Sequence, residues 1–332
     1  MIPLPPKQPD PIDAVITWVN GNSAKHQEKR RRYMADAQVP LLQNAVNPHR
    51  WACNDEILYC LQSIHNHAPW TRKIWIVVDE ETPNLSRLPP ALRAKVTFVF
   101  HRDIFGEYGD ALPTFNSLAI EGLLWRIKGL AERFLYFNDD VFLTSPIVPS
   151  DLFAGDAPVL RGKWVDYSAL DQDKAKRLDP AKFNHFMQVN AARLMGFDVS
   201  RLFRTAHVVH PMRQSVMQHL FQEHRAAFED SIKHRFRAIS QFLPQGLHNH
   251  ACIRDGAAVI HTAKDHVHIT SGQGKRRVAS KLERLLDETG DARTKFLCVN
   301  DLPQLEKTLP DARDLLEQVV GGFADRRIQV AG

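Results

Sequence analysis

The chain has 332 residues, of which 44% are hydrophobic and 24% charged, with a formal net charge of +5. That length and apolar share are enough for a full core in one large domain or two smaller ones, and they make the chain globular. No run of about 18 uncharged apolar residues occurs, so a membrane-crossing helix is excluded, and Met1–Lys7 lacks the apolar stretch of a signal peptide. The expectation is a cytoplasmic protein.

Elements alternate from the start. Ala14–Val19 reads as a strand, Asp55–Asn66 as a helix, Ile74–Val78 as a strand, Pro90–Ala94 as a helix and Val96–Phe100 as a strand. A helix over Ser117–Ile127 and a strand over Phe134–Phe137 follow. Continuous apolar strands separated by helices predict a mostly parallel sheet with both faces covered, which binds ligands beyond the carboxyl ends of its strands. Polar motifs stand at those ends: Asn20-Gly21-Asn22, Asp79-Glu80-Glu81, His101-Arg102-Asp103 and Asn138-Asp139-Asp140. Each alone is an ordinary loop, but four in register describe the rim of one site.

After Ser150 the pattern changes. Ala181–Phe242 reads largely as helix, Ala257–Ile260 and Lys295–Val299 return to strand character, and the tail from Leu302 reads as one amphipathic helix carrying Leu305, Leu309, Leu315, Leu316 and Val319. The expected divisions are 1–150, an α/β half that carries the ligand edge; 151–255, a mainly helical elaboration; and 256–332, a return to the core sheet and a C-terminal helix, together one domain.

Cys53, Cys60, Cys252 and Cys298 lack a paired metal spacing, as unpaired thiols of a reducing compartment would. Basic runs at Lys29–Arg32, Arg235–Arg237 and Lys275–Arg277 suit anionic substrates or an anionic membrane surface. Nucleic acid is not the expected partner, because no reading module accompanies them.

Asp139 and Asp140 end an apolar strand at the ligand edge. Paired carboxylates there suit Mg²⁺ or Mn²⁺, which prefer hard oxygen ligands and share their shell with substrate phosphates. The same residues also serve ordinary turns and caps. A second Asn-Asp, Asn300-Asp301, ends the strand at Lys295–Val299 and is a partner for the first.

Four separated blocks resemble the Stealth family of capsular and exopolysaccharide sugar-1-phosphate transferases, which includes the animal enzyme that places GlcNAc-1-phosphate on lysosomal glycoproteins. They are Ile12–Gly21; Arg50–Tyr59 through Ala68-Pro69-Trp70, His101–Phe105, Leu112–Ser117 and Phe137–Asp140; Ala206–Pro211 with Arg235-Phe236-Arg237; and Phe296–Asp301. Cys53, Gln62 and Asn20 depart from residues common in the family. The resemblance implies a Rossmann-like, glycosyltransferase A-like sheet and a transferase that moves hexose-1-phosphate from a nucleotide sugar to a glycan hydroxyl. A phosphodiester forms and nucleoside monophosphate leaves. The alternative is a metal-dependent glycosyltransferase that moves the sugar itself and releases nucleoside diphosphate.

By motif position, the resemblance makes Asp139, Asp140, Asn300 and Asp301 metal ligands and His207 the proton acceptor. Arg237 and Arg50 become phosphate clamps, and Asp13 and Glu56 shape the donor pocket. Asn54, Asn116, Ser117 and Asn20 join the substrate-binding set, although Asn116 and Ser117 also suit a helix cap. The other expected partners are a nucleotide-sugar donor, a glycan acceptor and capsule synthesis or export machinery at the inner face of the plasma membrane. His210, His248, His250, His266 and His268 are left outside the site as structural or surface residues.

Overall fold

The computed structural model describes residues 10–37, 41, 55–173, 175–176, 179–288 and 294–323; Arg50 and Asn54 lie outside them. The described strands are β1 (Ile12–Thr17), β2 (Ile74–Val78), β3 (Val96–Phe100), β4 (Arg133–Asn138), β5 (Val141–Leu143), β6 (Phe153–Ala154), β7 (Ala157–Val165), β8 (Leu202–Thr205), β9 (His210–Arg213), β10 (Val259–His261), β11 (His266–Thr270) and β12 (Phe296–Asn300).

The main sheet has the order β3-β2-β1-β4-β9. Its first four strands are parallel, and β9 is antiparallel to β4. The mostly parallel α/β arrangement expected from the apolar runs is therefore present. β2, Ile-Trp-Ile-Val-Val, is buried throughout, as a strand covered on both faces must be. Alternation divides β1 between two cores: Ala14 and Ile16 pack with helix Glu56–His67, while Val15 joins Trp75, Val77 and Tyr136 on the opposite face. Each fully buried aliphatic or aromatic side chain contributes about 1.5–3 kcal/mol, so these two cores dominate the stability.

Several boundaries differ from expectation. Ser117–Ile127 breaks into a short helix, Ser117–Glu121, and a 3-10 turn, Leu124–Arg126, with Gly122 between them. Ala181–Phe242 is not continuous helix. Helix Phe183–Leu194 gives way to β8 and β9 before helices Gln214–Glu223 and Arg225–Ile232. The tail forms two helices, Leu302–Thr308 and Ala312–Val319, with Pro310 in the connection between them.

β8 and β9 were hidden because their pairing comes from distant chain and from two histidines. β8 pairs with β7 and β9 with β4. Helix Pro244–Arg254 then supplies ring nitrogens: the Arg213 N–H donates to His248 Nε2 at 3.0 Å, and the Phe203 N–H to His250 Nε2 at 3.1 Å. Accepting those bonds requires neutral rings. Burial lowers both pKa values, that of His248 to about 4. At Gly162 on β7 a side chain would collide with the Arg204 carbonyl oxygen and the Phe203 ring, so only glycine lets β8 approach there.

A third sheet, β11-β12-β5, sits beside the main one. The chain passes directly from β4 of the first sheet to β5 of the third, and the two residues between these strands are Asp139 and Asp140. β10 and β6 flank β7 in a smaller sheet. A buried Arg161–Asp265 ion pair, 2.7 Å, joins β7 to the segment before β11.

Candidate active site at the edge shared by two sheets

The Asp139-Asp140 turn is held from three sides. Helix Glu56–His67 packs beneath it, with the Cys60 thiol 3.9 Å from the Asn138 carbonyl oxygen and the Ser63 hydroxyl accepting from the Leu143 N–H at 3.1 Å. From the third sheet, the Val299 N–H donates to the Asp140 carbonyl oxygen at 3.0 Å, and the Asn300 side-chain amide donates to the Asp140 carboxylate. The two Asn-Asp motifs thus meet, because β12 runs antiparallel to β5 with Cys298 opposite Val141.

Asp55 and Asp301 are the described non-glycine residues with positive φ, at 62° and 64°. Each precedes a helix, Glu56–His67 and Leu302–Thr308 respectively. Aspartate tolerates this left-handed conformation at modest cost, and such strain persists where surrounding structure holds it. The geometry places Glu56 close enough for its charge to act on Asp139.

The electrostatics follow from this crowding. Burial, then the Asp140 and Glu56 charges, push the Asp139 carboxyl well above the usual carboxylate range. His207, between β8 and β9, lies with Nε2 at 3.7 Å from Asp140 Oδ1. Burial alone would lower the His207 pKa, but the neighbouring Asp140 carboxylate outweighs it and raises the value. The ring is 41% exposed, so it remains open to a substrate on one side. His268 of β11 lies 5.7 Å away, ring to ring, and bonds Asn300.

Arg237 reaches the same region from the loop after helix Arg225–Ile232, and its guanidinium donates to the Ser117 hydroxyl at 2.8 Å. Burial lowers its pKa, while the nearby Glu121 and Tyr136 raise it. Tyr136 is fixed by Thr17 at 3.0 Å and stacks on His210. Glu121 accepts from Gln245 at 2.8 Å.

Asp140, His207 and Cys298 offer an oxygen, a nitrogen and a sulfur that all lie within 4.8 Å of one another. Asp140 Oδ1 is buried with no hydrogen-bond partner among the described residues. A buried carboxylate oxygen without a hydrogen bond, its ring neighbour His207 standing off at 3.7 Å, leaves room for a cation, so the site fits a divalent ion. The nitrogen and sulfur donors are softer than the all-oxygen shell expected from the sequence, with Asp140 common to both sets.

The structure therefore gathers Asp139, Asp140, Asn300, Asp301, Glu56, His207, Arg237 and Ser117 at one edge. Asp13 is a correction. It stands at the opposite end of β1, level with Phe134, and β4 runs about 13 Å further before the Asp pair. Arg72, the Trp75 indole and the Ala131 N–H occupy its fully buried carboxylate. Asn116 is a second correction: its 1% exposed side chain caps Leu118 and donates to the His234 carbonyl and to Gln241, so it positions Ser117 and Arg237 without facing a ligand. Asn20 bonds Glu81 at 2.9 Å, lining a cleft with Lys29, Asp79 and Glu80 at the ends of β1 and β2.

His268, Cys298, Glu121 and Tyr136 were missed. Strand alternation puts Cys298 and Asn300 on one face of β12, and the parallel register sets His268 beside Cys298. The period is legible in the sequence, but the pairing of β11 with β12 is not.

Residues 10–37 match Stealth protein CR1, conserved region 1, and residues 50–159 match Stealth protein CR2, conserved region 2. The chain is 32% identical over 75% of its length to an exopolysaccharide phosphotransferase of Streptomyces coelicolor, SCO6023, covering 41% of that protein. It is 31% identical over 68% of its length to the capsular polysaccharide phosphotransferase LcbA of Aeromonas hydrophila, covering 61% of it. With the exopolysaccharide phosphotransferase cps2G of Lactiplantibacillus plantarum, identity is 28% and coverage 88% of both chains. The chain carries conserved regions 1 and 2 of the Stealth family. It spans less than two thirds of the length of the first two relatives. Among solved structures it is similar to the galactosyltransferase LgtC in complex with donor and acceptor sugar analogues, at 10% identity and TM-score 0.42, covering 96% of this chain and 100% of the other. At that distance the likeness carries no functional weight.

Proposed function

We propose that the chain is a polysaccharide phosphotransferase that moves hexose-1-phosphate, such as GlcNAc-1-phosphate, from a nucleotide sugar to a glycan hydroxyl. The observation that carries this reading is the open His207 ring 3.7 Å from Asp140, at the edge where Arg237 and Ser117 converge. The names of the relatives support the same class of reaction.

In the proposed step the acceptor oxygen attacks the β-phosphorus of the donor. The bond from that phosphorus to the bridging oxygen breaks, and nucleoside monophosphate leaves with the electron pair. His207 takes the acceptor proton, and Asp140 steadies the imidazolium that results. Arg237 holds phosphoryl oxygens through charge-assisted bonds, with Ser117 fixing its orientation. A divalent ion, Mg²⁺ or Mn²⁺, would be held through the oxygens of Asp140, Asp139, Asn300 and Asp301, leaving the His207 nitrogen free for the proton, and would supply positive charge to phosphoryl oxygens. Asp139, Asn300 and Asp301 complete that edge.

The same reading puts the chain on the cytoplasmic side of the membrane beside capsule synthesis machinery. The described helices do not oppose it: none is long and apolar enough to cross a membrane. Phosphorus NMR of a reaction containing Mg²⁺ or Mn²⁺, a panel of nucleotide sugars and short glycan acceptors tests the chemistry. The expected result is nucleoside monophosphate with a new phosphodiester signal. Nucleoside diphosphate with a glycoside product would overturn the reading in favour of sugar transfer.

A further inference from the structure

The edge at Asp140 carries two sets of donors that share this one carboxylate. The first is the oxygen set of Asp139, Asp140, Asn300 and Asp301, suited to a hard ion. The second is the trio Asp140, His207 and Cys298. Its oxygen, nitrogen and sulfur come from the turn between β4 and β5, the segment between β8 and β9, and β12. Register brings the sulfur in, because Cys298 stands opposite Val141, the residue after Asp140.

Spacing separates the ions that the two sets would take. Zinc bonds of about 2.3 Å to sulfur and about 2.0–2.2 Å to nitrogen and oxygen put tetrahedral ligand atoms roughly 3.3–3.6 Å apart. Octahedral magnesium, with bonds of about 2.1 Å, asks for neighbouring oxygens about 3 Å apart. The distance from His207 Nε2 to Asp140 Oδ1 is 3.7 Å, close to the tetrahedral spacing, and the Cys298 sulfur lies within 4.8 Å of both partners' donor atoms.

Ligand chemistry agrees with the spacing, since imidazole and thiolate favour zinc over magnesium. Asp140 Oδ1 is a buried acceptor without a hydrogen bond among the described residues, and Cys298 is a free, buried cysteine. The open side of the His207 ring leaves a way in for the ion and room for water as a fourth ligand.

We propose that Asp140, His207 and Cys298 form a zinc site, and that zinc bound there stops transfer by occupying the proton acceptor. The inference rests on the phosphotransferase reading above and concerns the regulation of that site. Binding replaces the Cys298 S–H bond with a zinc–sulfur bond and sends the proton to solvent, with no change of oxidation state. The His207 lone pair then points into the metal and cannot take a proton from the acceptor, and Asp140 is withdrawn from the oxygen set.

The test uses the full chain and the variants Cys298→Ser, Cys298→Ala and His207→Gln, each checked by a melting curve. The probes are zinc chloride and, for its optical spectrum, cobalt chloride. Cobalt added to the parent without donor is expected to give a thiolate-to-cobalt charge-transfer band that both Cys298 variants lack. Losing even an outer partner of a metal site costs about 10–100-fold in affinity, so losing the sulfur or the nitrogen should raise the zinc Kd at least about a hundredfold by chelator competition. Zinc near the parent's Kd should abolish its transfer. The half-inhibiting concentration should rise in Cys298→Ser by the same factor as the Kd, each protein being compared with its own zinc-free rate. No band in the parent, or a zinc Kd unchanged in the Cys298 and His207 variants, overturns the site. Bound zinc that leaves transfer running, or inhibition equally strong in Cys298→Ser, overturns the regulation. Binding is read without donor: transfer without the band sinks this inference alone, whereas a normal band in a protein that never transfers sinks the phosphotransferase reading and leaves the zinc site standing.

Discussion

Asp13 and Asp140 are set toward opposite ends of neighbouring parallel strands, and their surroundings treat them in opposite ways. Asp13 is fully buried, yet its carboxylate takes bonds from Arg72 at 2.6 and 2.7 Å, from Trp75 at 2.8 Å and from the Ala131 N–H at 2.9 Å. Asp140 keeps one buried oxygen without a hydrogen bond and faces a half-exposed histidine. A carboxylate whose bonding is complete holds the fold, whereas one left incomplete is available to a ligand. Both aspartates fall within regions matched to the Stealth family, so the match alone does not separate the two roles.

The comparison is most sharply broken at Asp140. Asp140→Asn keeps the size and the bonds to the neighbouring chain but removes the charge, and transfer is expected to fall about a thousandfold or more. Thermal stability should stay within about 1 kcal/mol. Initial rates of nucleoside monophosphate release, read beside a melting curve, check this; near-normal rates would remove Asp140 from the chemistry.

The reverse signature is expected at the other end. Asp13→Ala leaves the Trp75 and Ala131 donors buried and Arg72 without its carboxylate, at a cost of roughly 3 kcal/mol. The estimate sits at the low end for a buried pair because the Arg72 side chain is 39% exposed and can reach water. Denaturant unfolding measures the loss, and the protein that remains folded should turn over normally. A stable variant with lost activity would return Asp13 to the site.

A smaller effect separates fold from site by pH. The His248 pKa is lowered to about 4 by burial, so the native ring stays neutral while the unfolded ring protonates below about 6.5. Between those values the unfolded state binds more protons, so this contribution is complete above about pH 6.5 and is lost as pH falls toward 4. The loss by about pH 4.5 should be about 2 kcal/mol. His248→Gln can still accept from the Arg213 N–H and should flatten that part of the stability profile. An unchanged slope in denaturant titrations at several pH values would show that other groups dominate.

The main sheet was legible because its strands are apolar on both faces, and a run such as Ile74–Val78 fits little else in an alternating α/β pattern. The Asp139-Asp140 turn was legible for the same reason, as a polar stop on a buried strand. β8 and β9 were not, since four-residue strands carry little period of their own and depend on β7, β4 and the ring nitrogens of His248 and His250.

By itself the sequence determined the class of sheet, the edge at which its polar strand ends gather and the identity of the carboxylate pair, because hydrophobic period and strand-end polarity are local properties. Tertiary structure alone decided which polar residues are spent on the fold. Asp13 and Asn116 look as functional as Asp140 when read along the chain. Only the arrival of Arg72, Trp75 and Gln241 completes their bonding, while Cys298 and His268 enter the site through a strand pairing that spans about thirty residues of sequence.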